Sequence, residues 1–270
     1  MTTPTPDQQS QPVAPDSQLQ PAVHSNQKRT WKARGRILGM PISLLAIWAA
    51  LYIAASAIPA LPVPGMGGMI TVNAILTAIS GMILGPAAAL ANAAGGIVGM
   101  LLYPYGFSAG PLGFLTVTLG GLVAGLLFAD QWFPALILEM VVIGAWFVNP
   151  AARQTGMWLV PLPYSAIAFI VILVKPIRVW IRKSILTLHK VYIWPAVFLM
   201  VCVGHSVEYL TTNDMINWMY KLTWQYWVPT LPYWIGVDTV IILVSTAVGV
   251  GVLVGLRKAR LPQFADTLEK

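Results

Sequence analysis

The chain is 270 residues long, 57% hydrophobic and only 9% charged, with a mean hydropathy of +0.72. Soluble domains carry roughly 25% charged residues, so this chain lacks the charge to cover a water-facing surface and is expected to be an all-α, polytopic transmembrane helix bundle. Its net charge of +7 does not point to nucleic acid, because most of the cations sit in short blocks beside apolar runs; the single cysteine, Cys202, excludes a disulfide framework and a cysteine-cluster metal site.

In chain order, residues 1–36 read as a cytoplasmic tail. Residues 1–27 are rich in Pro, Gln, Ser and Thr without apolar periodicity, which predicts disorder, and a basic block follows at 28–36. The apolar run after that block is too long for a signal-peptide core and shows no clean cleavage pattern, so the first span is expected to stay as an anchor. Residues 37–260 form the expected transmembrane domain, and 261–270 a short C-terminal tail.

Eight apolar segments are expected as spans: 40–60, 69–85, 86–103, 111–129, 134–149, 157–175, 193–210 and 233–256. A bilayer core needs about 20 apolar residues per helix, so the second and fifth are short. Gly85-Pro86 separates the second from the third, since proline removes a donor and restricts the residue before it, which suits a tight turn. With the N-terminus in the cytoplasm, thirteen cations fall inside: Lys28, Arg29, Lys32, Arg34, Arg36, Lys175, Arg178, Arg182, Lys183, Lys190, Arg257, Lys258 and Arg260. Only Arg153 and Lys221 fall outside, so the positive-inside rule predicts a multi-pass cell-membrane protein with both termini cytoplasmic. Charge constrains parity rather than number, and six spans satisfy it as well as eight. Residues 176–190 interleave apolar side chains with cations, as an interfacial helix does; a snorkelling extension of the sixth span is the alternative. Residues 211–232, with Trp218, Tyr220, Trp224, Tyr226 and Trp227, read as an outer loop of aromatic-belt composition.

Small residues let helices approach closely in lipid. They form a stripe Ala46, Ala50, Ala54 on the first span and runs in the third, fourth and eighth. Residues 65–128 contain an ISGMILGP helix end, a small-residue helix, and then GPLGFL followed by GGLVAGLL. This stretch resembles the membrane-embedded substrate-binding subunits (S components) of energy-coupling factor (ECF) transporters, and LPYWIGVDTVIILVSTAVGVGVLVGLRKAR is similar to their last helix and basic exit. The resemblance covers about 40–129 and 230–260; residues 130–210 align with nothing in that family, which usually has six spans. It implies vitamin-like micronutrient uptake, with a transmembrane coupling subunit and cytoplasmic ATPase subunits as partners. It also implies that Ala46, Ala50 and Ala54, which match the family's AxxxA pattern, dock on the coupling subunit.

Ionisable residues inside a bilayer are costly and are functional hypotheses by default. Asn73, Tyr103, Asn149, His205, Glu208 and Asp238 fall toward the outer side and are the expected substrate-binding set, with Tyr105 and Asp214 nearby and Glu139 nearer mid-membrane. His205 and Glu208, three apart, share a helix face. The sequence carries no GxxxxGK[ST] and no HExxH, so neither ATP hydrolysis nor zinc proteolysis is expected of it, and no cofactor or metal is expected. Two further classes stand beside the importer subunit: a stand-alone secondary transporter or channel using Glu139, Glu208 and Asp238 as an ion path, and a non-catalytic membrane subunit of a larger complex.

Overall fold

The computed structural model describes residues 35–258 except 66, 107–108, 154–159 and 161; the expected N-terminal tail up to residue 34 and the C-terminal tail lie outside the described residues, while Arg36, expected at the end of the tail, is in a short strand. The elements are β1 (Arg36–Ile37), β2 (Met40–Pro41), α1 (Ile42–Ser56), β3 (Pro59–Pro62), β4 (Met69–Thr71), α2 (Thr77–Leu84), α3 (Ala88–Leu102), α4 (Phe114–Phe128), α5 (Trp132–Val148), α6 (Leu162–Leu173), α7 (Lys175–Thr187), α8 (Ile193–Tyr220) and α9 (Trp224–Lys258). The architecture is all-α, with two small antiparallel hairpins, β1–β2 and β3–β4.

Among the described residues, four helical stretches are long and apolar enough to cross a membrane, or five when the bent pair α6 and α7 is taken as one span. The eight apolar segments do recur as helices, but several are short. At 1.5 Å per residue, the 15 residues of α1 or α3 cover about 22 Å against a hydrocarbon core of about 30 Å. The expected second span is one strand, a single 3-10 turn (Val72–Ile75) and the eight-residue α2, every residue of which is buried. A broken segment of this kind is tolerated at membrane depth only inside protein.

Residues Thr77–Leu102 are one run of helical backbone long enough to span, yet they are a hairpin. Asn92 Nδ2 donates to Ser80 Oγ at 2.9 Å, whereas twelve residues of straight helix would separate them by about 18 Å. Gly85 makes the reversal with φ +57° and ψ −147°, a conformation open to glycine, and Pro86 follows it. Asn92, fully buried, also donates to Val117 O at 3.0 Å, so one amide ties α2, α3 and α4. Such bonds in membrane proteins average about 0.6 and reach about 1.7 kcal/mol. Asn92→Ala is therefore expected to cost about 1 kcal/mol, read as a lower midpoint of thermal unfolding in detergent.

The crossing of α2, α4 and α8 is built from glycine. A Cβ on Gly120 would lie 2.8 Å from Gly204 O, and one on Gly121 2.3 Å from Asn92 Nδ2. Around it α8 is almost wholly buried from Val201 to Thr211. On α3, Gly95 admits Tyr52 and Ala49 of α1, so α1 packs through that face. Ala46, Ala50 and Ala54 are on the opposite side and exposed.

One end of the bundle gathers β1–β2, the Gly85 turn, the α4–α5 turn, α7 and the end of α9. There Arg182 lies 3.7 Å from Asp130, and Arg257 donates to Thr187 O at 2.8 Å. Most of the described cations belong to this basic end, and so do both ends of the described chain. The opposite end holds β3–β4, tied to α9 by Tyr226 to Pro64 O at 2.9 Å and Tyr233 to Pro62 O at 2.6 Å. α7 turns 89° from α6 at Val174, so the expected helix near 176–190 is a separate element and not an extension of the sixth span. Residues 211–232 correct the expected outer loop: they continue α8 and begin α9, leaving Lys221–Leu222–Thr223 as the link. Trp227 Nε1 donates to Asn217 Oδ1 at 2.8 Å and stacks edge-on to Trp146 at 6.0 Å, which gives these aromatics helical packing partners.

Candidate functional site

α8 carries His205 and Glu208 on one face, which meets α9 on one side and α2 on the other. His205 Nε2 lies 3.2 Å from Asp238 Oδ1. Glu208 Oε1 accepts a hydrogen bond from Thr77 Oγ1 at 3.2 Å, at the first turn of α2, where a helix start favours negative charge. Tyr164 of α6 completes the group, its ring edge-on to His205 at 5.4 Å and to Tyr209 at 5.2 Å. His205, Glu208 and Asp238 are 5%, 8% and 4% exposed. Burying charged groups costs several kcal/mol each unless they are paired, so these residues are not placed there by packing alone.

Two cavities adjoin this group, each of about 90 Å³. The first is lined by His205, Glu208, Tyr209, Asn213, Trp234 and Asp238, under Val63 and Ile70 of the β3–β4 region. The second runs past Thr71, Asn73, Gly113 and Thr116. Ile70, Ala74, Glu208 and Thr212 line both, so the Glu208 side chain forms part of the wall between them. In the lining of the first, Asp238 Oδ2, Tyr209 Oη, Asn213 Nδ2 and Trp234 Nε1 are buried and make no hydrogen bond of normal geometry among the described residues, although Tyr209 interacts with Asn213 and Tyr226 with Trp234. Buried polar atoms are nearly always paired, so unpaired ones converging on a cavity mark a place for a ligand.

The expected six residues divide. His205, Glu208 and Asp238 come together. Asn73 lines the second cavity, but its amide is also structural, donating to Ser56 Oγ at 2.9 Å and accepting from Thr71 Oγ1 at 2.5 Å. Tyr103 lies beside Tyr105, ring centroids 6.3 Å apart, and lines neither cavity. Asn149 donates to Asp214 Oδ1 at 3.2 Å, away from both. Thr77, Tyr164, Tyr209, Asn213 and Trp234 belong to the site without having been expected there; aromatic character was the one sequence signal of Tyr164, Tyr209 and Trp234, and Thr77 and Asn213 carried none.

A second buried group sits beside the first. Glu139 is fully buried, and its Oε1 accepts from Ser206 Oγ at 2.5 Å, with Ser165 Oγ 3.4 Å from Ser206 Oγ. At the basic end, a cavity of about 170 Å³ is walled mainly by apolar side chains with Arg182 and Arg257 among its lining. Among the described residues no group of three His, Cys, Asp or Glu side chains is arranged to hold a metal ion. No family model, curated protein or solved structure matches this chain.

Proposed function

We propose that this chain is the substrate-binding membrane subunit of an energy-coupling factor type importer, which captures a small vitamin-like molecule from outside and delivers it with a separate coupling subunit and cytoplasmic ATPases. The observation that carries the reading is a pocket with unpaired polar atoms at the end of the bundle opposite the cations. Under the positive-inside rule the basic end faces the cytoplasm and the pocket faces outside. α1, α2, α3, α4, α5, α6, α8 and α9 then make eight passes of unequal depth in the cell membrane, with both termini cytoplasmic, and α7 lies along the inner leaflet. The exposed Ala46, Ala50 and Ala54 suit close docking of a partner helix.

The deciding measurement is uptake into vesicles. Uptake is expected only when the coupling subunit, its ATPases and ATP are all present. Uptake by this chain alone, without ATP, would sink the reading. It would favour a stand-alone transporter instead, for which the buried Glu139–Ser206 pair beside His205 is the supporting observation.

A further inference from the structure

The charge balance of the outer pocket narrows its ligand. Glu208 and Asp238 supply two carboxylates, and among the described residues His205 is the one basic side chain in the lining, with no Lys or Arg at either cavity. His205 Nε2 approaches Asp238 Oδ1 to 3.2 Å, and Asp238 Oδ2 has no hydrogen-bond partner among the described residues. The walls add the aromatic residues Tyr209 and Trp234, and aromatic faces attract cations most strongly where water is excluded. Two N–H donors, Trp234 Nε1 and Asn213 Nδ2, belong to the same lining and make no hydrogen bond of normal geometry among the described residues, Tyr226 and Tyr209 being their respective polar neighbours; a donor has no use for a cation but does match an oxygen acceptor.

We infer that the pocket takes a small organic cation that also carries an oxygen acceptor, an amino alcohol or an alkylated ammonium alcohol. The positive centre sits against Glu208, Asp238 and the aromatic rings, and the oxygen against Trp234 and Asn213. Cavities of about 90 Å³ on either side of Glu208 limit the ligand to few heavy atoms; an engineered cavity of about 150 Å³ is enough for benzene. This inference rests on the binding-subunit reading, and deepens it by naming the charge of the cargo.

The test titrates the detergent-purified full chain with ethanolamine, choline and tetramethylammonium, and with the neutral isosteres propan-1-ol and 3,3-dimethylbutan-1-ol, following tryptophan fluorescence and heat. At least one of the two cationic alcohols is expected to bind about tenfold or more tighter than its isostere. Glu208→Gln and Asp238→Asn should each erase most of that preference, because removing one partner of a buried charge contact typically costs tenfold or more. Trp234→Phe removes the donor but keeps a smaller aromatic face, so it should weaken the alcohol-bearing cation more than it weakens tetramethylammonium. The inference is overturned if the neutral isosteres bind as well as the cations, or if no cation binds the wild-type chain at concentrations up to about 10 mM. It is also overturned if both carboxylate variants, shown folded by thermal unfolding, keep the full preference. Should that happen while the chain still assembles with its coupling subunit, the charge assignment falls and the importer reading stands. If cations bind selectively but no coupling complex forms, the reverse holds.

Discussion

Replacing Gly125 with valine is expected to prevent recovery of folded, monodisperse protein. A Cβ at this position would lie 2.2 Å from Gly85 O and 2.4 Å from Gly85 C. Those atoms belong to the backbone of the α2–α3 reversal and cannot rotate away, so α4 would have to move off the turn that it closes. Overpacking of this kind costs about 3 kcal/mol or more when the neighbour is rigid, a large share of the stability of an ordinary domain. Gly85→Ala probes the same turn by a different cause: nothing lies within 4 Å of its Cβ, but φ +57° with ψ −147° strains an L-residue by about 1–3 kcal/mol. Gly251→Val, with open space around its Cβ, is the control, and should shift stability by no more than about 0.5 kcal/mol. Size-exclusion profiles and thermal unfolding in detergent separate the three. A well-behaved Gly125→Val protein with an unchanged midpoint would show that α4 does not seat on the Gly85 turn.

Ala50→Trp should leave the chain folded and ligand-competent but abolish its co-purification with a coupling subunit. Ala50 is exposed in the middle of α1, between Ala46 and Ala54, and is flanked by Ile47 and Leu51 at 66% and 47% exposure. The helix packs on α3 through its other face, where Leu45, Trp48 and Tyr52 are buried, so the indole points away from the described residues that α1 packs on. Surface substitutions away from packed groups change stability by about 0.5 kcal/mol or less. Helices associate in lipid through close van der Waals contact rather than hydrophobic burial, and an indole on a small-residue seam removes that contact over several turns. Gly144→Trp on α5, equally exposed, controls for the size of the side chain. If Ala50→Trp co-purifies as well as the wild type, α1 is not the docking helix. If Gly144→Trp also abolishes it, the loss reflects bulk in lipid and not a specific face.

Much of the architecture was legible because it depends on local chemistry. The scarcity of charge calls for a membrane whatever the fold. Gly85-Pro86 marks a reversal because glycine admits a positive φ and proline removes a donor, and neither effect needs a distant partner. The alternating cations and apolar residues of 176–190 likewise describe a helix with two unlike faces, and α7 is one. The aromatics of 211–232 misled for a related reason: a belt composition is the same whether it lies in a loop or on helix ends. Trp227 became helical by packing on Asn217 and Trp146, contacts that depend on how α5, α8 and α9 come together.

The site shows the same division. That His205 and Glu208 share a face follows from a spacing of three, and it needs nothing but a helix. That Asp238 meets His205, that Thr77 reaches Glu208 across 131 residues and that Tyr164 walls the imidazole all depend on which helices become neighbours, and no local pattern encodes that. Tyr103 and Asn149, chosen for their depth in the membrane, lie at the same end of the bundle yet outside its cavities, since depth places a residue along one axis only. The alanine stripe was visible as a spacing of four, but whether it was core or surface was decided by Gly95, which drew the opposite face of α1 against α3. Composition and periodicity thus determined that the chain belongs in a membrane, that it is helical and which of its ends carries the cations. Only the packing of those helices decided which buried polar groups converge, because burial and convergence are properties of neighbours and not of the chain.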